Sequence, residues 1–311
     1  MLDAQPNSSP GAQDALHVGR AVVACRQRGE LVPRMLVREH SALEPQRAAL
    51  LRWVGLDHCR MALIGSAPCP PALPAFFHAL GLPLTEAWGM TETVGPVLWT
   101  GLDRLTIGSV GRPMRGVEAR LAPDGELLVR GGPMTAGYYK DHARTADAID
   151  REGWLHSGDI AEVDETGCYR IVDRKKDLII TSFGKNISPS NLEHLLTAHA
   201  LIGQACVVSD RRDRLTALLI LDPLGVAGFA QRHGLSSASH VELTTHPSVR
   251  AEIQRHVDAV NERLSGAEQI TAFTILPTEW SVAGGELTPT LKLKRSVIAC
   301  KYADAIEAMY A

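Results

Sequence analysis

Several features that mark specialised protein classes are scarce or missing in this chain of 311 residues. Aromatic residues make up 5% of it, and the net charge is −3 with no lysine- and arginine-rich block, which argues against nucleic acid and acidic membranes as partners. No run of 18 apolar residues occurs, so no transmembrane helix is expected. The N-terminal stretch lacks the basic start and apolar core of a signal peptide. We therefore expect a cytoplasmic globular protein, with peripheral membrane association left open.

Cysteine and histidine are present, but not in the groupings that hold metals. The six cysteines include no Cys-x-x-Cys pair, and no cysteine–histidine group has zinc spacing. Thiols placed in this way are typical of a reducing compartment, where they occupy small core or surface positions. The sequence therefore predicts no structural zinc site.

Length and composition allow two domains with sizeable cores. The hydrophobic fraction is 45% and the charged fraction is 22%, which is ordinary for a globular protein. Residues 1–15 are polar and contain proline and glycine, so we expect them to be disordered. Apolar residues then recur at near-helical spacing as far as about Arg60, which predicts helices.

Two short apolar runs predict strands that end in loops. Met61–Ile64 ends at Gly65-Ser66-Ala67-Pro68, and Gly81–Leu84 ends at Glu86–Thr93, with a helix predicted over Ala72–Leu80 between them. Loops that follow neighbouring strands lie side by side in the nucleotide sites of α/β sheets. A tight turn before a helix is the alternative for the first loop.

The second loop, with the sequence EAWGMTET, carries side chains suited to a nucleotide. The flat ring of Trp88 can cover a base, and Gly89 lets the backbone approach a ligand. Thr91 can donate to a phosphate, and Glu92 offers a hard oxygen suited to magnesium. An ordinary surface loop is the alternative interpretation.

From Ser109 onward the pattern becomes that of β-hairpins. One hairpin is predicted around Pro123–Gly125, and a second joins Ile160–Val163 to Tyr169–Val172. Asp159 and Arg174 flank the second hairpin, so they should lie close in space. Asp159 could accept two hydrogen bonds from a diol such as ribose. A purely structural ion pair is the alternative.

The charged segment Asp173–Asp177 indicates a boundary, after which a compact second domain begins. Its predicted elements are a helix over Asn191–Ala198, a hairpin of Ala205–Ser209 with Leu215–Leu221, a helix from Pro247 to Gly266, a strand over Ile270–Leu276 and a closing helix. The segment Gly284–Leu291 is flexible in composition and precedes Lys292. A lysine delivered by a mobile loop could stabilise charge that develops on a phosphate. A solvated basic face with Lys294 and Arg295 is the alternative.

Six motifs in this order resemble the adenylate-forming superfamily, which includes acyl- and aryl-CoA synthetases, adenylation domains and luciferases. The motifs are GSAP, EAWGMTET, GELLVRGGPMTAGYY, GWLHSGD, DRKKDLIITSFGKNISP and LTPTLKLKR. The last two look most like those of long-chain fatty acyl-CoA synthetases. The resemblance covers the chain from about Leu50 to the C-terminus.

The resemblance implies a fold of class α/β plus α+β and a ligase active in fatty acid metabolism. Residues 16–175 would form the C-terminal part of the AMP-binding domain, with partial sheet layers and a small β subdomain, and residues 176–311 a mobile lid domain. The implied reaction activates a fatty acid with ATP and Mg²⁺ to acyl-AMP and then transfers the acyl group to CoA.

The resemblance also assigns roles to individual residues. The implied nucleotide or CoA contacts are Gly65, Ser66, Ala67, Pro68, Glu86, Trp88, Gly89, Met90, Asp159, Arg174 and Gly184. Trp88, in place of the usual tyrosine, would flank adenine, and Asp159 would bind the ribose hydroxyls. Catalytic roles fall to Thr91, Glu92 and Lys292, with Glu92 as the magnesium ligand. Lys176 would be the hinge of the lid domain.

Three departures from the family pattern change the expectation for this chain. The Gly/Ser/Thr-rich phosphate loop is absent, and fewer residues precede Gly65 than the family carries there. Phe183 also stands where related long-chain enzymes have glycine. The chain therefore resembles the C-terminal half of a synthetase and is expected to be an incomplete ligase. The alternatives are a non-catalytic remnant, a subunit that needs a separately encoded N-terminal half, and a fatty acyl-AMP ligase that feeds a carrier protein.

Overall fold

The computed structural model describes residues 11–67, 69–102, 106–180, 186–209, 214–235 and 238–311. The chain divides into two compact units, Met1–Lys175 (unit 1) and Lys176–Ala311 (unit 2).

Unit 1 begins with three helices, α1 (Ala12–Gln27), α2 (Arg34–Ala42) and α3 (Glu44–Trp53). The expectation of disorder up to residue 15 is wrong for the last part of that range, because α1 starts at Ala12 and buries Ala12 and Ala15. The buried face of α1 packs on helix α4 (Ala72–Ala79). The two backbones approach so closely that a Cβ on Gly19 would lie 2.2 Å from the Ala79 carbonyl oxygen.

The first sheet of unit 1 has the strand order β1-β2-β3-β4. Its strands are β1 (Ala62–Ile64), β2 (Leu84–Met90), β3 (Gly95–Trp99) and β4 (Arg112–Pro113). Strand β1 runs parallel to β2, whereas β2 and β3 are antiparallel. The parallel pair places the loop after β1 beside the second half of β2.

The prediction of a strand over Gly81–Leu84 followed by a loop is wrong. The strand begins at Leu84 and runs through EAWGM to Met90, and only Thr91–Thr93 forms a turn, of 3-10 type. The reason is that β2 lies between two neighbouring strands and is buried from Leu84 to Trp88. A central strand that is buried on both faces shows no apolar–polar alternation, so polar and aromatic residues within it resemble a loop.

The second sheet of unit 1 is an antiparallel meander that contains both predicted hairpins. Its strands are β5 (Val117–Leu121), β6 (Glu126–Gly131), β7 (Leu155–Val163) and β8 (Tyr169–Arg174), in that order. Helix α5 (His142–Ala148) lies between β6 and β7, and the Asp141 carboxylate caps it by accepting the Arg144 amide. The core of this region joins the two sheets through Trp88, Leu98, Leu127, Leu155 and Tyr169.

Unit 2 is an α+β unit built on a three-stranded sheet and a two-stranded ribbon. The ribbon pairs β9 (Ile179–Ile180) with β10 (Asn186–Ile187), and the sheet has the order β11 (Ile202–Val208), β12 (Leu215–Leu221), β13 (Ile270–Leu276). The helices are α6 (Pro189–Thr197), α7 (Pro223–Arg232), α8 (His240–Thr245), α9 (Pro247–Asn261), α10 (Arg295–Lys301) and α11 (Ala303–Tyr310).

Every residue of β12 is buried because helices cover both faces of this sheet. On one face, Leu219 packs in a core with Leu192 and Ile253 from α6 and α9. On the other face, Leu218 packs with Trp280, Ile298 and Ile306. The four-, four- and three-residue steps of Val249, Ile253, Val257 and Val260 place these side chains on the buried face of α9, as predicted.

All six cysteines are free thiols, and Cys168 and Cys206 are buried. Within the described ranges, no helix combines the length and the apolar character that crossing a membrane requires.

Candidate functional site

The loop after β1 lies directly against β2. Ile64 pairs with Glu86 in the parallel register, and a Cβ on Gly65 would lie 2.6 Å from the Ala87 carbonyl oxygen. Only glycine allows this approach. Gly65, Ser66 and Ala67 are exposed, and Ser66 has a positive φ of 67°, so the loop offers backbone groups to solvent. Pro68, the last residue of this predicted adenine contact, lies outside the described residues.

A buried polar contact between the two sheets joins Trp88 on β2 to Asp159 on β7. The Trp88 indole N–H donates to Asp159 Oδ2 over 2.8 Å. Arg174 Nε contacts the other oxygen, Oδ1, at 2.7 Å, and the two residues are register partners on β7 and β8. The structure thus brings together three of the predicted nucleotide-site residues around one carboxylate.

The burial of Trp88 bears on its predicted contact with adenine. The residue is 7% exposed and belongs to the core between the two sheets. The polar contact observed for Trp88 is the hydrogen bond to Asp159. Contact with adenine stays a prediction. Arg174 is about half exposed, so part of its guanidinium faces solvent beside Asp159.

A bulge in β7 aims the Asp159 side chain. Glu126 pairs with Ile160 and Leu128 pairs with His156, so β7 carries two more residues than β6 between these pairs. The Ser157 hydroxyl accepts the Asp159 amide at 3.0 Å, and Gly158 adopts a left-handed φ of 69°. Because bulges bend a strand and redirect its side chains, this one explains how Asp159 faces Trp88. The sequence predicted Asp159 just before the strand, whereas Asp159 lies inside β7.

The turn after β2 carries the predicted phosphate and magnesium residues. Thr91 is exposed and Glu92 is partly exposed. The buried Thr93 hydroxyl accepts the Met90 amide at 2.9 Å, which closes the turn. Val94 follows with a φ of 59°, a rare conformation for a β-branched residue and therefore a local strain that the sequence did not reveal.

Tyr138 is a contact of Glu92 that sequence analysis did not single out. Its hydroxyl donates to Glu92 Oε1 over 2.7 Å, and the Thr135 amide donates to the Glu92 carbonyl oxygen, also over 2.7 Å. The signal for Tyr138 was its place in the GELLVRGGPMTAGYY motif, but a contact across an irregular segment has no periodicity that could reveal it.

Glu92 fits the type of magnesium site that the resemblance implies. No group of three or more His, Cys, Asp or Glu residues suited to a metal occurs within the described ranges. Mg²⁺ at nucleotide sites is usually held by one or two carboxylates together with substrate phosphates and water. A single, partly exposed carboxylate at the end of β2 matches that donor set.

Strand β2 contains three further predicted ligand contacts, Glu86, Gly89 and Met90. Their observed contacts are with other parts of unit 1. A Cβ on Gly89 would lie 2.0 Å from the Gly95 carbonyl oxygen, so this glycine is needed for the approach of β3. Glu86 is buried, and its Oε1 accepts the Gly108 amide over 2.7 Å. Burial raises the pKa of Glu86, although the Gly108 hydrogen bond and Arg170 act in the opposite direction. Ligand contacts of these residues stay predictions.

In unit 2, Lys292 lies at the end of a closed turn. The Thr288 amide donates to the Lys292 carbonyl oxygen over 2.8 Å, and the Lys292 amide donates to the Thr288 hydroxyl over 3.0 Å. Leu291 adopts a φ of 61° within this turn. The Lys292 side chain is exposed, as is that of Lys176, the first residue of unit 2. Gly184 lies outside the described residues.

An ion pair fastens the segment after Lys292 to the core of unit 2. Arg295 Nη2 donates to Glu193 Oε2 over 2.7 Å, and Glu193 also accepts the Val207 amide over 2.8 Å. Glu193 is 8% exposed. Burial raises the pKa of the neighbouring Cys206 thiol to about 12, so this cysteine stays protonated at neutral pH.

Two family profiles match the chain. The profile described as AMP-binding enzyme matches residues 30–139, and the profile described as AMP-binding enzyme C-terminal domain matches residues 176–311. Together they cover well over half of the sequence.

Curated relatives carry the names of fatty-acid–CoA ligases. The chain is 41% identical over 289 residues to the long-chain-fatty-acid–CoA ligase FadD15 of Mycobacterium bovis, which covers 92% of this chain and 48% of that protein. It is 35% identical over 281 residues to the long-chain-fatty-acid–CoA ligase ACSBG2 of Gallus gallus. This match covers 83% of this chain and 37% of that protein. The chain spans about half the length of the curated relatives it matches.

Solved structures share the fold at low identity. The adenylation domain of a carboxylate reductase from Mycobacterium chelonae aligns with a TM-score of 0.68 at 22% identity, covering 96% of this chain and 45% of that chain. O-succinylbenzoate coenzyme A synthetase from Bacillus subtilis, in complex with ATP and magnesium ion, aligns with a TM-score of 0.59 at 22% identity. This alignment covers 86% of this chain and 54% of that chain. The predicted adenylate-forming fold is therefore confirmed, in partial form.

Proposed function

Because the chain belongs to the AMP-binding, adenylate-forming enzyme family, we propose that it supplies the AMP-binding and lid parts of a fatty-acid–CoA ligase. In this reaction the fatty acid carboxylate attacks the α-phosphate of ATP, which gives acyl-AMP and releases pyrophosphate. The thiol of CoA then attacks the acyl carbonyl and displaces AMP. The names of the 41% and 35% identical relatives support fatty acids as the substrate class.

The observation that carries the proposal is the Trp88–Asp159–Arg174 contact. Two donors fix the orientation of the Asp159 carboxylate, one on each oxygen. A carboxylate oxygen has further lone pairs that can accept from the two adjacent hydroxyls of a ribose. Arg174, whose guanidinium is partly exposed, would donate beside them. This arrangement suits AMP, the nucleotide portion that remains throughout both half-reactions.

The remaining residues would act on the phosphates. Mg²⁺, when bound, would neutralise phosphate charge, and Glu92 is the residue that would hold it. The Thr91 hydroxyl would donate to a phosphate oxygen, and the ammonium group of Lys292 would stabilise the charge that develops as carboxylate and phosphate join. Lys176 would be the hinge that lets unit 2 reorient between the two half-reactions, a lid-type conformational step.

We also propose that the chain functions together with the remainder of an adenylate-forming fold. Unit 1 exposes large apolar side chains on its N-terminal helices and on strand β1, including Met35, Trp53 and Leu63. Exposed apolar surface of this kind is typical of a face that packs against another part of a protein. Co-expression with a segment that carries the Gly/Ser/Thr-rich phosphate loop tests this, because a stable complex should co-purify.

The catalytic proposal is tested by ATP–pyrophosphate exchange that depends on a long-chain fatty acid, measured on the chain with and without the remainder of the fold. We expect exchange from the combined protein and a loss of about 100-fold or more in Lys292→Ala. Lys294→Ala is the matched control, since Lys294 is also exposed and lies two residues away. Exchange that is absent from both preparations, or equally lost in both variants, contradicts the proposal.

The product distinguishes CoA ligation from transfer to a carrier protein. Mass spectrometry of the reaction with free CoA should detect the acyl-CoA thioester. Accumulation of acyl-AMP without thioester would instead favour a fatty acyl-AMP ligase.

A further inference from the structure

A buried carboxylate that has no assigned role in the nucleotide site lies on β6. Glu126 is 6% exposed, and its two oxygens have different partners. Oε1 accepts the backbone amide of Gly158 over 2.9 Å, whereas Oε2 accepts from the ammonium group of Lys175 over 2.9 Å. His156 Nδ1 lies 3.4 Å from the same Oε2.

Both backbone groups of Gly158 are held by this arrangement. Gly158 lies in the β7 bulge with a left-handed φ, and its amide points to Glu126. Its carbonyl oxygen accepts the backbone amide of Lys175 over 2.8 Å. Asp159, whose carboxylate meets Trp88 and Arg174, is the next residue. Glu126 and Lys175 therefore hold the backbone of the residue that precedes Asp159, and in this way they fix the position of Asp159.

The hydrogen bonds that Glu126 accepts favour its ionised form. Lys175 also contacts Asp124 Oδ2 at 2.6 Å, and His156 lies 3.8 Å from Asp150 on its other ring nitrogen. Burial acts to raise the pKa of Glu126, but the hydrogen bonds from Lys175, Gly158 and His156 outweigh it and leave the pKa below its ordinary value. An ionised carboxylate binds an amide and an ammonium more strongly than a neutral acid does.

We propose that Glu126 is a positioning residue that holds Asp159 in its ribose-binding orientation through the backbone of Gly158, and that the same carboxylate anchors Lys175. This inference rests on the proposed ribose role of Asp159. Lys175 is the last residue of unit 1, so its anchor fixes the point from which the hinge at Lys176 can turn. One carboxylate thereby supports both the nucleotide contact and the end of unit 1.

The test is a double-mutant cycle on AMP affinity, measured by calorimetry on the full chain. Glu126→Gln keeps an acceptor for Gly158 but removes the charge that faces Lys175. We expect it to weaken AMP binding about tenfold. Asp159→Asn should also weaken AMP binding, and in that background Glu126→Gln should add little, because the two residues act as one unit. Glu118→Gln is the matched control, since Glu118 is ion-paired to Arg130 on the neighbouring strand and lies on the exposed edge.

A backbone measurement accompanies the cycle. Amide hydrogen exchange over residues 155–160 and 171–176 should accelerate in Glu126→Gln and stay unchanged in Glu118→Gln. Unchanged exchange, or AMP affinities that fall by the same factor in both the wild-type and Asp159→Asn backgrounds, overturns the inference. If Asp159→Asn weakens AMP binding while Glu126→Gln does not, the inference alone fails. If the wild-type chain binds no AMP, or Asp159→Asn leaves the affinity unchanged, the ribose role fails and the inference fails with it.

Discussion

The indole N–H of Trp88 donates to the carboxylate of Asp159 over 2.8 Å, although the two residues are 71 positions apart in the sequence. The contact joins the central strand of the first sheet to the bulged strand of the second. In this contact the flat ring of Trp88 places its one polar atom, the Nε1–H donor, on the carboxylate.

Removing this donor should destabilise unit 1 and weaken nucleotide binding. Trp88→Phe leaves a buried carboxylate oxygen without its indole partner, which we expect to cost about 1.5–3 kcal/mol in the free energy of unfolding. Trp99→Phe is a matched control on β3, because the buried Trp99 Nε1 has no hydrogen-bond partner among the residues that the structure describes. Urea denaturation of both variants measures the difference, and equal losses would show that the Trp88–Asp159 bond adds nothing to stability.

The Tyr138 hydroxyl should orient Glu92 for the metal. Its hydrogen bond to Glu92, with a smaller contribution from burial, raises the pKa of Tyr138, so the phenol remains a donor at neutral pH. Residues that orient metal ligands typically change metal affinity by about tenfold or more when removed. We therefore expect Tyr138→Phe to raise about tenfold the Mg²⁺ concentration needed for ATP binding.

The neighbouring tyrosine provides the control for this prediction. Tyr139 is 88% exposed, so Tyr139→Phe should leave the Mg²⁺ requirement unchanged. Calorimetric titration of ATP at several Mg²⁺ concentrations measures both variants. A lower Mg²⁺ requirement in Tyr138→Phe would indicate that the phenol competes with the metal instead of orienting its ligand.

Glu86 should make the protein less stable as the pH rises. Burial raises its pKa above the ordinary 4.5, so the folded protein holds this proton more tightly than the unfolded chain does. The stability from this group is present below the unfolded pKa and is lost as the pH rises through the folded pKa. Glu86→Gln, which keeps an acceptor for the Gly108 amide, should therefore gain stability relative to wild type between pH 4 and pH 7.

Thermal unfolding across this pH range measures the difference between wild type and Glu86→Gln. Glu162→Gln on β7 is the control, because Glu162 is exposed. A difference for Glu86→Gln that does not change with pH would contradict the assignment of a raised pKa.

The buried ion pair of Glu193 and Arg295 should be important for unit 2. Arg295→Met leaves the Glu193 carboxylate buried without its guanidinium, and loss of one partner of a buried pair typically costs about 3–5 kcal/mol. Arg255→Met is the control, since Arg255 is exposed in its pair with Glu252 and such pairs contribute about 0–1 kcal/mol. Denaturant-dependent amide hydrogen exchange of the α6 and β11 residues measures both, and equal effects would contradict the buried role.

The sequence predicted the hairpins and helices that local residue patterns determine. Alternating apolar residues and turn residues identified the hairpins β5–β6 and β7–β8, and the hairpin register brought Asp159 and Arg174 together as expected. Helix α9 followed from the spacing of its apolar face.

The sequence-based predictions failed where contacts between distant segments determine the local structure. The segment Glu86–Met90 resembled a loop because a strand buried on both faces shows no alternation. The bulge at Gly158 and the bond between Trp88 and Asp159 depend on how two strands and two sheets meet, which no periodicity in the sequence records. The contact of Tyr138 with Glu92 likewise spans 46 positions across an irregular segment.

The proposed nucleotide site depends most on Asp159, whose carboxylate would accept the ribose hydroxyls of AMP. The most direct measurement compares the calorimetric affinities of AMP and 2′,3′-dideoxy-AMP for wild type and for Asp159→Asn. We predict that wild type binds AMP at least about tenfold more tightly than the dideoxy analogue, and that the preference disappears in Asp159→Asn. Equal affinities of the wild-type protein for the two nucleotides, or a preference that survives in Asp159→Asn, would contradict the claim.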